Sequence, residues 1–113
     1  MSPKVYAEQK LAGSNGKFTI TGPIGGWDGD EAAAVFTLVV SQKVNGGVAI
    51  GVGKSRVYKP NASGGPKDWT APVKVVNGHK FQPGGATVFA WASIAEDYGG
   101  WEMYPWGRPV ELS

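Results

Sequence analysis

The last third of the chain concentrates tryptophan and tyrosine among glycine and proline residues, a composition typical of a rim or a sheet edge. Exposed indole and phenol rings bind the flat faces of sugar rings or anchor a protein partner, and nearby acids and arginine supply hydrogen bonds. Packing beneath a loop is the structural alternative for the same rings. The candidate ligand-binding residues are Trp101, Tyr104, Trp106, Arg108, Glu102 and Asp97.

The aromatic-rich set also includes Trp69, Trp91 and Tyr98. We expect two members of the whole set to be buried in the core. Trp91 lies in the middle of a run of alternating residues and shares a strand face with Phe89. Core packing is therefore the favoured interpretation of Trp91.

No catalytic constellation is recognisable in the sequence. It has no cysteine and one histidine, His79, which excludes thiolate chemistry and multi-histidine metal sites. The run from Gly51 to Ser55 lacks the earlier glycine and the following helix of a phosphate-binding loop. We predict that the protein is not an enzyme, with a small hydrolase that uses Asp28, Asp30 or Glu96 as the catalytic alternative.

Asp28, Asp30 and Glu31 place three carboxylates close together, as a hard cation such as calcium prefers. The rest of an EF-hand pattern is absent, and the same acids suit the start of a single helical turn over residues 30–34. We predict a solvated turn with no metal and no cofactor, and keep a bound cation as the alternative.

The balance of charge gives little attraction for a polyanion, since 11 basic and 9 acidic residues leave a net charge of +2. The closest basic grouping is Lys54, Arg56 and Lys59, around Tyr58. No basic segment leads into an apolar run, and no apolar window reaches the length of a membrane span. We expect no nucleic-acid partner, no membrane partner, and synthesis as a soluble cytoplasmic product.

The elements that must position these residues are strands, because valine and aromatic residues far outnumber leucine. The dipeptide Asn-Gly, the strongest short-range signal for a hairpin turn, begins at Asn15, Asn45 and Asn77. We read Pro60 to Pro72 as a surface connection. A single domain over residues 1–113 then holds seven to eight short strands: Val5 to Leu11, Lys17 to Thr21, Ala34 to Val44, Val48 to Tyr58, Val73 to Val76, His79 to Gln82, Thr87 to Ile94 and Trp101 to Leu112.

Two registers are open to the middle hairpin. A two-residue loop places Leu38 opposite Gly53, whereas a three-residue loop that ends at Gly47 places Val40 opposite Val52. The second register collects apolar side chains on one face, and we therefore prefer it. It turns Lys54 and Arg56 toward the core, which makes Gly53 the expected position of a β-bulge.

The run from Phe81 to Ala92, FQPGGATVFAWA, places a Pro-Gly turn before alternating small and large residues. It resembles the turn and penultimate strand of immunoglobulin-like modules, although the family's cysteine pair is absent. The resemblance implies an all-β, antiparallel β-sandwich and no particular function. A small β-barrel is the alternative architecture.

Aromatic residues without a catalytic constellation favour a non-catalytic binding or assembly module that presents an aromatic-rich surface to a glycan or a protein partner. A self-associating structural protein, such as a virion or fibre component, is the alternative, because strand edges and glycine-rich loops also suit homo-oligomers.

Overall fold

The computed structural model describes residues 8–9, 11–12, 17–25, 27, 29, 31–60 and 66–112. Over these residues the chain is all-β and contains no helix, as the strand-rich composition predicts. All strands belong to one sheet, which curls into a half-barrel. They are β1 (Glu8–Gln9), β2 (Leu11–Ala12), β3 (Lys17–Pro23), β4 (Glu31–Val44), β5 (Gly47–Lys54), β6 (Asp68–Val75), β7 (Gly84–Glu96) and β8 (Trp101–Leu112).

The strand order in the sheet is β1-β8-β7-β4-β5-β6-β3-β2. Every neighbouring pair is antiparallel except β1 with β8. β1 and β2 are one residue apart in the chain, yet they pair with β8 and β3 at opposite ends of the order. This short N-terminal segment therefore connects the two edges, and the curled sheet has an inner face and an outer face.

The pairing does not show the two facing sheets of the predicted sandwich, because all eight strands are neighbours in one sheet. The resemblance of Phe81 to Ala92 to immunoglobulin-like modules stays a prediction. Four predicted strands are confirmed: β3, β4 and β7 contain the expected runs from Lys17 to Thr21, from Ala34 to Val44 and from Thr87 to Ile94, and β8 has the expected bounds.

The core fills the inner face of the sheet. Successive side chains of a strand point to opposite faces, and alternate residues of β4, β6 and β7 are accordingly buried. The Phe36 ring stacks on Trp69 with 4.7 Å between centroids, and Trp106 meets Phe36 edge-on at 6.4 Å. Trp69 and Trp106 thus join an aromatic cluster that links β4, β6 and β8.

The preferred register of the middle hairpin is wrong. Val44 pairs with Gly47, so the loop has two residues, and Leu38 lies opposite Gly53. The reason is close packing: a Cβ atom at Gly51 would lie 2.8 Å from Val73 Cγ1. The glycines face the core because β6 leaves no room there for a side chain.

The consequences drawn from that register are also wrong. Gly53 forms no β-bulge, since the β4–β5 pairing continues without interruption to Lys54. Lys54 and Arg56 are exposed and do not point into the core.

The turn of the β4–β5 hairpin favours glycine. Gly46 and Gly47 have φ values of 87° and 155°, which a residue with a side chain rarely adopts.

The other two predicted hairpins have different outcomes. Leu11 pairs with Phe18 in an antiparallel sense, while the turn itself, at Asn15, lies outside the described residues. The hairpin at Asn77 is wrong, because the residues after it form no strand. The Asn77 side chain instead donates a hydrogen bond to Val48 O at 2.6 Å and accepts one from Ile50 N at 3.2 Å, so it extends the β5 ladder.

The predicted connection from Pro60 to Pro72 is wrong in its second half, because β6 begins at Asp68 and contributes the fully buried Trp69. β5 pairs with β6 only from Val73 onward, so before that residue β6 has a neighbour on one side, where a strand tolerates proline. The predicted helical turn is also wrong over its described residues, since β4 begins at Glu31.

Gln42 fixes the segment that leads into β7. Its side chain is 5% exposed, donates to Gln82 O at 2.7 Å and to Gly85 O at 3.2 Å, and accepts from Gln82 N at 2.8 Å. A buried amide with this set of partners holds the loop against β4 at the point where β7 starts.

Candidate binding surface

The outer face of β4, β7 and β8 carries an apolar surface. Pairing sets Trp91 opposite Pro105 of β8, and sets Ser93 opposite both Met103 of β8 and Val35 of β4. These residues share a face because every second side chain of a strand points the same way, and paired residues of adjacent strands point together. We name this surface the outer patch and define it as Val35, Val57, Phe89, Trp91, Trp101, Met103 and Pro105.

The large side chains of the outer patch are open to solvent. The exposed fraction is 66% for Trp101, 52% for Phe89, 50% for Val57 and 49% for Met103. Trp91 is half-buried beside Phe89, with 6.1 Å between the ring centroids. Single exposed apolar residues are ordinary, but a contiguous group of them marks an interaction site.

The outer patch is shaped as well as apolar. Phe89, Trp91, Met103 and Pro105 line an open hollow of about 510 Å³. A second hollow of about 290 Å³ lies where the Trp101 side chain approaches β4 and Val57. Trp101 lines the second hollow and is 66% exposed, so the patch offers a protruding ring on the same face as a concave apolar surface.

None of the residues that define the outer patch is charged. Outward-facing lysines lie farther along the sheet: Lys43 near the end of β4, Lys54 of β5 opposite Thr37, and Lys74 of β6 opposite Val52. An uncharged centre rich in aromatic residues and methionine, with charged residues at its border, has the composition of a protein–protein interface.

The free edge of β8 borders the outer patch. Among the described residues, the side of β8 away from β7 is paired only at Glu111 and Leu112, with β1. Pro105 and Pro109 lie in the remaining part of the strand. Proline has no N–H to offer an added strand, so this edge is a poor template for strand addition. The face of the sheet is therefore a better candidate for a binding surface than this edge.

The opposite face of β8 contains most of the candidate residues. Trp106 packs against the core aromatic cluster, 6.2 Å from Trp69 between ring centroids. The Tyr104 hydroxyl donates a hydrogen bond to Glu102 Oε2. This bond, together with the negative charges of Glu102, Glu96 and Glu31, raises the pKa of Tyr104 to about 12.

The six candidate residues therefore do not form one surface. Trp101 lies on the outer face, and Asp97 lies in the exposed turn after β7. Inner-face positions hold the other four, Glu102, Tyr104, Trp106 and Arg108, opposite buried residues of β7. The separation follows from the two-residue period of a strand, which sends Trp101 and Glu102 to opposite faces.

Sequence reasoning missed most of the outer patch. The predicted core packing of Trp91 is wrong, because Trp91 and Phe89 share the outer face. A signal was present: β4 and β7 carry apolar residues at both odd and even positions, as in the run Val35 to Val40. Such near-continuous apolar runs are typical of strands that are covered on both faces.

Other candidates have structural explanations or lie outside the described residues. Asp28 and Asp30 are not described, and the described residues contain no group of histidine, cysteine, aspartate and glutamate arranged to hold a metal. Ser55, the last residue of the run considered as a phosphate-binding loop, has a structural role, because its hydroxyl accepts a hydrogen bond from Phe36 N at 2.8 Å. Tyr58 is 2% exposed with the Arg56 guanidinium 4.2 Å from its ring centre, so its ring is not open to a nucleic-acid base.

Comparison with protein families, with curated proteins and with solved structures finds no match to this chain. In its described part the chain contains no helix with the length and apolar character needed to cross a membrane.

Proposed function

We propose that this protein is a non-catalytic binding or assembly module that docks onto a protein partner through the outer patch. The supporting observation is an uncharged aromatic surface on the outside of a sheet whose central strands are apolar on both faces. A docked protein removes this surface from water, which contributes a favourable free energy of roughly 25 cal/mol for each Å² of apolar area buried. Within the described part of the chain the core lies on the inner face of the sheet, so the outer face supplies the binding area.

The chemistry of the patch favours a protein over a glycan. Sugar recognition needs hydrogen-bonding side chains beside the rings. Of the predicted ones, Glu102 and Arg108 occupy positions of the opposite face, and Asp97 lies in the turn after β7. The polar side chains in the midst of the outer patch are short ones, Ser93 and Thr37. Protein interfaces are enriched in tryptophan, phenylalanine and methionine, which Trp101, Phe89 and Met103 supply here.

Site-specific photo-crosslinking in the cells that make the protein tests this proposal. A photoreactive phenylalanine analogue replaces Met103, 49% exposed within the patch, or Val76, 56% exposed and outside it, as the matched control. We expect a defined protein adduct from position 103 and none from position 76. Equal adducts at both positions, or none at either, would contradict the proposal.

A parallel glycan array tests the choice of partner class. Retention that disappears in Trp101→Ala would show that a sugar occupies the patch and would overturn the choice of a protein. We expect no retention of the wild-type chain.

A further inference from the structure

We infer that the occupant of the outer patch is a second copy of this chain, packed face to face about a two-fold axis. This inference rests on the proposed function, because it names the protein that docks. In a two-fold interface the same surface is used twice, so it must be complementary to itself in area, shape and charge.

The area is sufficient for a dimer. Taking about 200 Å² for a large side chain, the exposed fractions of Trp101, Phe89, Met103 and Val57 give about 400 Å² per copy, and the other members raise this to roughly 600 Å². Two copies then bury about 1,200 Å², at the lower end of the range for specific interfaces. A partner with a smaller apolar surface than the outer patch would bury less area.

The shape is complementary to itself. The Trp101 ring protrudes, and the hollow lined by Phe89, Trp91, Met103 and Pro105 lies on the same face. A two-fold axis between them lets the ring of each copy enter the hollow of the other, which makes two equivalent contacts. Two faces of sheet that meet in this way form a sandwich with the usual spacing of about 10 Å, built from two chains.

The charge distribution permits this pairing. Since the members of the patch carry no charge, two copies bring no like charges together at the centre. Lys54 and Lys74 belong to β5 and β6, the strands beyond the patch, where a rim residue keeps its hydration. Pro105 and Pro109 limit strand addition at the β8 edge, so we expect a closed dimer and not a fibre.

Sedimentation velocity over a wide concentration range tests the inference with three variants. Trp101→Gln and Phe89→Thr change exposed members of the patch, and Val76→Thr is the control at an exposed apolar residue outside it. We expect a wild-type dimer, an unchanged dissociation constant in Val76→Thr, and a dissociation constant about thirtyfold weaker or more in Trp101→Gln. Unfolding curves in urea show that each variant folds.

Unique thiols provide a second measurement, because the chain contains no cysteine. Ser93→Cys places a thiol inside the patch with a minimal change of size, and Val76→Cys is the control. We expect alkylation at position 93 to slow several-fold as the protein concentration rises through the dissociation constant, and alkylation at position 76 to stay constant.

The outcomes separate this inference from the proposed function. A chain that stays monomeric at all concentrations, or a dimer that survives Trp101→Gln and Phe89→Thr, overturns the inference. If a monomeric chain still gives an adduct from position 103 with a different protein, the proposed function stands. If the chain is monomeric and gives no adduct, both fail.

Discussion

Gly53→Ala tests the register of the β4–β5 hairpin and the close approach of β6. A Cβ atom at Gly53 would lie 2.6 Å from Pro72 O, 3.1 Å from Val73 Cγ2 and 3.3 Å from Leu38 Cδ1. The nearest of these atoms is backbone, and Pro72 is held on its other side by pairing with Thr19. The clash therefore cannot be relieved by turning one side chain.

The expected change follows from two opposing terms. Overpacking of a core position costs about 1–3 kcal/mol. Replacing glycine by alanine in a strand recovers about 0.5–1 kcal/mol, because the unfolded chain loses freedom. We expect Gly53→Ala to lower the free energy of unfolding by about 1–2 kcal/mol and Tm by about 4–8 °C.

Gly85→Ala is the matched control in β7. A Cβ atom there would lie 3.5 Å from Glu111 Oε1, an ordinary contact with the end of a flexible side chain. Its stability should equal that of the wild type or exceed it by up to about 1 kcal/mol. Urea unfolding followed by tryptophan fluorescence measures both variants. A Gly53→Ala protein as stable as the wild type would refute the register and the packing argument built on it.

Two further predictions concern hydrogen bonds. Gln42→Leu should lower the free energy of unfolding by about 2–3 kcal/mol in urea, because Gln82 and Gly85 lose partners in a part-buried setting; an unchanged midpoint would contradict this. In an alkaline absorbance titration, with Tyr104→Phe to identify the signal, Tyr104 should ionise with a pKa of about 12, and Glu102→Ala should return this pKa toward 10. Since the folded-state pKa is raised, the stability that the neutral hydroxyl contributes is present below pH 10 and is lost as the pH rises toward 12. An identical titration in Glu102→Ala would show that the hydrogen bond is not the cause.

Strands β7 and β8 could be predicted from the sequence because their signals are local. Alternating residues after the Pro-Gly turn mark β7, and the dense aromatic residues up to Leu112 mark β8. Both strands are long, and a long pattern tolerates single exceptions such as Pro105.

The hairpin register could not be predicted, because long-range contacts decide it. Apolar alternation favours the register that puts Val52 against Val40, and only the approach of Val73 and Phe81 explains why glycine occupies the inner face at Gly51. Trp69 was missed for a related reason. Its neighbours in sequence indicate a loop, while its stacking on a distant strand makes it core.

The candidate site was only partly predictable. The two-residue period of β8 already separates Trp101 from Glu102 and Tyr104, so the sequence contained the grounds for dividing the aromatic set. Which of the two groups faces outward depends on the direction in which the sheet curls. The inner face is the one on which core residues from distant strands meet, which no local pattern reveals.

Carbene footprinting in the native extract tests most directly whether the outer patch is a docking surface. Labelling of Trp101 and Met103 is compared between the dilute isolated chain and the chain in the extract, with Val76 as the internal reference. We expect labelling of Trp101 and Met103 to fall in the extract while that of Val76 is unchanged. Equal labelling of Trp101 in the two conditions would contradict the assignment of this face to a partner.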